Sequence, residues 1–244
     1  GAGCLELCTE LAADAALRLG REVDPEREVT ITNGATEALF ASIMALVEPD
    51  EEVILIEPFY DAYPADVALA GGRCRYVPLR PQEDGSWGLD GDELAAACSD
   101  TTRLLVLNTP QNPTGKVFDR DELSLIASLA QRHDFLVISD EVYEHLVFDG
   151  VEHISIASLP GMEERTLTIS SAGKTFSVTG WKIGWIIANP RLSLAVRRIH
   201  QWIPFAVATP LQLAVAKVLR EARSSGYYDD FRALYGAKRA TLLE

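Results

Sequence analysis

The sequence predicts an α/β domain built on a mostly parallel sheet with helices on both faces. Short all-apolar runs such as Val53–Ile56, Leu104–Leu107 and Phe135–Ile138 have the length of strands and no polar face, as strands covered on both sides do. Segments with apolar residues at helical spacing stand between these runs, the alternation expected of strand–helix–strand units. The 244 residues contain no repeat, low-complexity tract or internal linker, so a single domain over residues 1–244 is expected.

Element by element, Leu5 to Leu19 is apolar at helical spacing and ends at Gly20, a natural C-cap. Val29 to Thr32 is a short strand. It meets Asn33-Gly34 and then a helix from Thr36 to Val47, closed by Pro49. Val53 to Ile56 is a strand stopped by Glu57-Pro58, and a helix from about Asp61 to Leu69 ends at Gly71-Gly72. Arg73 to Leu79 alternates like a strand, and Pro81 to Gly88 reads as a turn-rich loop. The pattern repeats with a helix at Asp90–Ala97 and a strand at Leu104–Leu107 ending at Asn108. A helix at Asp121–Gln131 follows, with Asp119 as its N-cap. Phe135–Ile138 ends at Ser139-Asp140, and Thr166–Ile169 ends at Ser170-Ser171. Trp181 to Ala188 is the last predicted strand, and Leu192 to Arg223 is largely helical, interrupted by Pro204 and Pro210.

Composition narrows the partners. Asp and Glu number 36 against 22 Lys and Arg, a formal net charge of −14 that repels phosphate backbones and anionic lipid. No apolar run approaches the roughly 20 residues that span a bilayer. Cys4, Cys8, Cys74 and Cys98 are too sparse for a disulfide framework and form no Cys-x-x-Cys pair; they fit idle thiols in a reducing cytoplasm. The chain opens on Gly1-Ala2-Gly3 without an initiator Met and stops at Thr241–Glu244 without a turn or polar tail. Both ends read as cuts in a longer protein.

In sheets of this kind ligands sit beyond the carboxyl ends of the strands. The residues there are Asn33-Gly34-Ala35-Thr36, Pro58-Phe59-Tyr60, Asn108 to Gly115, Asp140 to Tyr143, and Ser171 to Lys174. Small residues at Asn33–Thr36 suit an anion held by backbone N–H groups at a helix start, or a plain turn with Thr36 as cap. Asp140 closes an apolar strand, which buries its carboxylate beside a cation or else makes it the cap of a short Glu141–Leu146 segment. Lys174 lies among small and apolar residues, where an amine can lose its proton and attack a carbonyl; a solvated loop lysine is the alternative. His145 and His153, with Asp149 and Glu152 between them, do not have the spacing of a compact metal site, and none is expected. No G-x-S-x-G elbow, Walker loop or G-x-G-x-x-G occurs.

Three motifs together resemble the class I/II aminotransferases, the fold-type I pyridoxal-phosphate enzymes. They are Asn108-Thr109-Pro110-Gln111-Asn112-Pro113-Thr114-Gly115, Ser139-Asp140-Glu141-Val142-Tyr143, and the run from Ser171 through Lys174 and Lys182 to Trp185. Ile56-Glu57-Pro58-Phe59-Tyr60-Asp61-Ala62-Tyr63 further resembles the kynurenine/glutamine/methionine aminotransferase branch. The resemblance runs from about Leu5 to the end and covers the large cofactor-binding domain. It implies pyridoxal 5'-phosphate held by Lys174 as an internal aldimine, Asp140 paired with the ring nitrogen, and Tyr143 and Asn112 on the ring 3′-oxygen. It also implies Tyr60 stacked on the ring, and the phosphate held by the backbone at Ala35 and Thr36 with Ser171 and Lys182.

The implied reaction moves an amino group from an amino acid to a 2-oxo acid such as 2-oxoglutarate. A cysteine-conjugate β-lyase and a non-catalytic cofactor-binding module are the alternatives. The family's carboxylate-clamping arginine lies in a C-terminal small domain and part of its pocket in an N-terminal arm, and this chain shows neither; Arg191, Arg197 and Arg198 belong to the helix after Trp185. The family's two-fold dimer is also implied, and the apolar stretch Trp202-Ile203-Pro204-Phe205 suits either that interface or the cover of a further domain.

Overall fold

In the computed structural model, which describes residues 1–244, helix α1 (Leu5–Leu19) ends at Gly20, whose left-handed backbone closes on the Ala16 carbonyl. Strand β1 (Val29–Asn33) runs directly into α2 (Gly34–Leu46), and β2 (Glu52–Glu57) is followed by α3 (Ala62–Leu69) and β3 (Arg73–Pro81). Then come β4 (Trp87–Leu89), α4 (Gly91–Ala97), β5 (Thr102–Asn108), α5 (Arg120–His133), β6 (Leu136–Asp140) and β7 (Thr166–Ser171). The single-turn α6 (Ala172–Thr175) leads to β8 (Ile183–Ile187), and α7 (Pro190–His200), α8 (Thr209–Ser225) and α9 (Tyr227–Leu243) complete the chain.

The eight strands form one sheet in the order β1-β8-β7-β6-β5-β2-β3-β4. β3, β2, β5, β6 and β7 run parallel, while β8 is antiparallel to both neighbours and β4 to β3. The predicted class holds. Strand residues alternate between the two faces: Val53, Leu55, Leu104 and Val106 pack with α2, α3 and α7, while Ile54, Ile56, Leu105 and Leu107 pack with α4 and α5. A third cluster joins α1 and α8 to β1 and β8. No helix is long and apolar enough to cross a membrane.

The structure departs from the sequence reading at several ends. α2 starts at Gly34, so Thr36 is not its cap; Asn33 holds that position without a side-chain cap bond. The loop read over Pro81–Gly88 contains the start of β4, which pairs with β3 across a turn at Gly85 (φ 83°). Trp181 lies in a 3-10 turn rather than a strand, because Lys182 takes a left-handed conformation (φ 52°) that delays β8 to Ile183. β8 is antiparallel because the short 172–182 connection cannot carry a crossover. Pro210 opens α8 rather than interrupting it, since a first-turn proline loses no hydrogen bond. α9, which the sequence reading did not assign, buries little beyond Phe231 and so gives a weak periodic signal. Asp119 caps α5 as expected, in a full capping box with Glu122.

Candidate active site

Strand register brings the chemistry to one rim. Asn33 pairs with Ile183, Ser171 with Gly184 and Asn108 with Asp140, so the carboxyl ends of β1, β5, β6 and β7 and the start of β8 lie side by side. A cavity of about 220 Å³ opens there. Its walls include every residue singled out as a candidate: Ala35, Thr36, Tyr60, Asn112, Asp140, Tyr143, Ser171, Lys174 and Lys182.

One end of the cavity is built for an anion. The first N–H groups of α2 have no intrahelical acceptor and carry the positive end of the helix dipole. Gly34 has φ 74°, and a Cβ there would come within 3.1 Å of Lys182 Nζ, so glycine allows both the turn and the close approach of that ammonium. Gly184 does the same from the sheet: a Cβ on it would lie 2.4 Å from the Gly34 carbonyl carbon and 2.7 Å from the Ala35 nitrogen. The turn is braced from behind by Glu37, which accepts from the Asn33 N–H at 2.5 Å and pairs with buried His200 Nδ1 at 2.6 Å. Gly184→Ala is therefore expected to cost about 3 kcal/mol of stability in denaturant unfolding, the upper range for overpacking. Gly180→Ala, where a Cβ meets nothing within 4 Å, is the neutral control.

The other end holds an acid. Asp140 is 4% exposed, and burial pushes its carboxyl up to about 6 against the donors that favour its charge, Tyr63 and the Val142 N–H. Tyr63 Oη donates to Asp140 Oδ2 at 2.7 Å, and Val142 N–H reaches Oδ1 at 3.3 Å. The Glu141–Leu146 segment forms turns rather than a helix, so Asp140 caps nothing helical. Asn108 ties the loops together, donating to the Asp140 carbonyl at 2.9 Å and accepting from the Asn112 N–H at 2.7 Å. Between the two ends Lys174 Nζ lies 5.7 Å from the centre of the Tyr143 ring. Lys174 is exposed rather than enclosed by apolar groups, because its small neighbours leave open cavity around it.

Behind the Asp140–Tyr143 loop, fully buried Glu141 accepts from Ser139 at 2.8 Å and Ser155 at 2.7 Å and pairs with His153 at 3.1 Å. Arg18 of α1 pairs with Glu144 and sits 4.0 Å from Glu141. Glu141, Glu144 and His153 come close enough to hold an ion, but the Arg18 guanidinium is the cation of that cluster. His145 stacks on Tyr228, and burial pushes its pKa down to about 3. Asp149 pairs with Arg239. Arg197 is spent on Thr30 and the β1 backbone.

The sequence model of the family described as Aminotransferase class I and II matches residues 3–244. This chain belongs to that family. It is 43% identical over 255 residues to a kynurenine–oxoglutarate transaminase of Dictyostelium discoideum, covering 99% of this chain and 59% of the relative. With human kynurenine–oxoglutarate transaminase 1 it shares 51% identity over 207 residues, 82% of this chain and 49% of the relative. The solved structure of N-succinyldiaminopimelate aminotransferase from Mycobacterium tuberculosis superposes with a TM-score of 0.95 at 44% identity, covering 99% of this chain and 62% of that one. The chain thus spans about half to three-fifths of the length of these aminotransferases.

Class I and II aminotransferases use pyridoxal phosphate, and the residues present fit it. Free helix-start N–H groups and a lysine over Gly34 suit a phosphate, and a buried, cation-poor carboxylate suits a protonated ring nitrogen. Tyr63 and Thr179 also lie on the cavity wall without having been picked out from the sequence, and Asn108, placed on the rim, had no role assigned. Tyr63 and Asn108 stood in the quoted motifs, but nothing local shows that they reach Asp140. Thr179 Oγ1 donates to the Gly173 carbonyl at 3.1 Å, a contact only the folded loop reveals.

Proposed function

We propose that the protein to which this chain belongs is a pyridoxal-phosphate-dependent aminotransferase moving the amino group of an amino acid to a 2-oxo acid such as 2-oxoglutarate. Its 1–244 portion is the cofactor-binding large domain. The supporting observation is the single cavity with an anion-binding end, a buried acid end and Lys174 between them. When bound, the cofactor supplies an aldehyde and an electron-accepting ring, which make the α-proton of an amino acid labile. The N–H groups of Ala35 and Thr36, with Ser171 and Lys182, hold the phosphate. Asp140 keeps the ring nitrogen protonated, Tyr143 and Asn112 hydrogen-bond the ring oxygen, and Tyr60 covers the ring. Lys174 would anchor the group through its amine and would move the proton at the α-carbon of the amino acid.

No arginine lines this cavity. Arg239 lines the larger cavity beside it but pairs with Asp149, so carboxylate recognition is assigned to other parts of the protein or to a second subunit. A larger cavity of about 660 Å³ adjoins the first through Asn112 and Tyr143 and is the approach we assign to substrate. Free thiols and the acidic charge accord with a cytoplasmic enzyme.

The test supplies the protein with pyridoxal phosphate, 2-oxoglutarate and a panel of amino donors including kynurenine, glutamine and methionine, and measures glutamate. Glutamate formation supports the reading. Pyruvate from an S-substituted cysteine without any 2-oxo acid would point to a β-lyase instead. The reading also includes a homodimer, supported by Trp202 at 82% and Phe205 at 77% exposure on one short segment. Light scattering at micromolar concentration is expected to give twice the chain mass, and a catalytically active monomer would contradict the dimer.

A further inference from the structure

Asp140 has one side-chain hydrogen-bond partner, and it comes from a distant part of the chain. Tyr63 lies on α3, 77 residues earlier, with its ring inside the apolar cluster of α2 and α3 and only 2% of its surface exposed. A phenol buried in such a cluster needs a partner for its O–H. The contact leaves Asp140 Oδ1 with the weakly held Val142 N–H alone. Burial and the charge of Asp140 push the phenol well above its ordinary pKa, so it acts as a donor throughout the working range.

The other charged groups around the pair do not duplicate this role. Glu141, next in the chain, opposes the charge of Asp140, and Lys174 favours it from the cavity; Tyr60 and Tyr143 face Tyr63. Glu141 is itself engaged on the far side by His153, Ser139 and Ser155.

We propose that Tyr63 is a positioning residue for Asp140: its O–H fixes Oδ2, holds the carboxylate charged, and leaves Oδ1 to keep the cofactor's ring nitrogen protonated. This rests on the cofactor reading above. A donor to a carboxylate stabilises the charged form over the neutral acid. Losing it lets burial shift Asp140 toward the neutral acid, which holds a ring proton less firmly. The predicted effect is that of a hydrogen bond to a charged group, about tenfold or more.

Tyr63→Phe removes one oxygen and keeps the ring in its cluster, so the fold survives and the test isolates the bond. In the reconstituted protein, the dissociation constant for pyridoxal phosphate is expected to rise about tenfold. The nitrogen resonance of ring-labelled cofactor is expected to move toward its unprotonated position. In an Asp140→Asn background the same substitution is expected to change either quantity by less than about twofold, as for a residue acting only through its partner. An unchanged resonance and affinity in Tyr63→Phe would overturn the inference, as would equal losses with and without Asp140. Failure of the wild-type protein to take up the cofactor would overturn the functional reading and this inference with it. Uptake by the wild type with an indistinguishable variant overturns the inference alone.

Discussion

On the proposed function, Lys174→Ala is expected to lower transamination by at least about ten-thousandfold, because it would remove both the covalent anchor and the group that moves the α-proton. The fold is expected to survive. Lys174 is the exposed residue of the single turn α6, with its ammonium over Tyr143, and truncating it opens no core cavity. Two lysines line the cavity, and geometry gives them different work. Lys182 Nζ lies against Gly34, at the anion end, whereas Lys174 faces Tyr143 and acts on Asp140. Lys182→Ala is therefore expected to raise the cofactor dissociation constant by about ten- to a hundredfold, as for one charge-assisted hydrogen bond. At saturating cofactor its turnover stays within a few-fold of wild type. Steady-state glutamate formation over a range of cofactor concentrations separates the two outcomes.

The second large effect is at Asp140, with opposite signs for activity and stability. Asp140→Asn is expected to cut turnover by about a thousandfold, in line with other lost electrostatic stabilisers. A neutral amide cannot keep a ring nitrogen protonated. In the cofactor-free protein the same substitution is expected to stabilise. Burial raises Asp140 from an ordinary 3.8 to about 6, so the folded chain holds a proton that the unfolded chain releases. Folding stability from this group is intact below about pH 4 and falls as pH rises to about 6, by about 3 kcal/mol at most. Above pH 6, then, cofactor-free Asp140→Asn is expected to unfold at higher denaturant than the parent. At pH 4 the difference disappears. Equal midpoints at both pH values would show that Asp140 is not held against burial.

Much of this was legible in the sequence because the informative residues follow apolar runs. Asp140, Asn108 and Ser171 each end a strand, and the register sets Asn108 beside Asp140 and Ser171 beside Gly184 on the same rim. The sequence could also show a lysine after Ser171 and glycines at 34 and 184. It could not show why those glycines matter, since Gly34 is crowded by Lys182 from the turn before β8 and Gly184 by the first residues of α2. Tyr63 was unreadable for the same reason: its helix carries it into a core cluster, and only the fold brings its oxygen to Asp140. Trp181 reads as a strand residue by its apolar neighbours, but the left-handed turn at Lys182 keeps it out of the sheet. That turn also helps place Lys182 over Gly34.

The exposed position of Lys174 refines the sequence expectation without removing its role. The small residues around it suggest an apolar enclosure, but the folded chain leaves Lys174 exposed at an open cavity. A ligand entering between Tyr60, Asp140 and Lys182 would fill that opening.

The proposed function requires Lys174 to be the residue that carries the cofactor. Protein incubated with pyridoxal phosphate and then reduced with borohydride should retain the cofactor covalently, and peptide mass mapping should place it on Lys174. Covalent cofactor on Lys182 or any other lysine, or none after reduction of a cofactor-loaded sample, would contradict it.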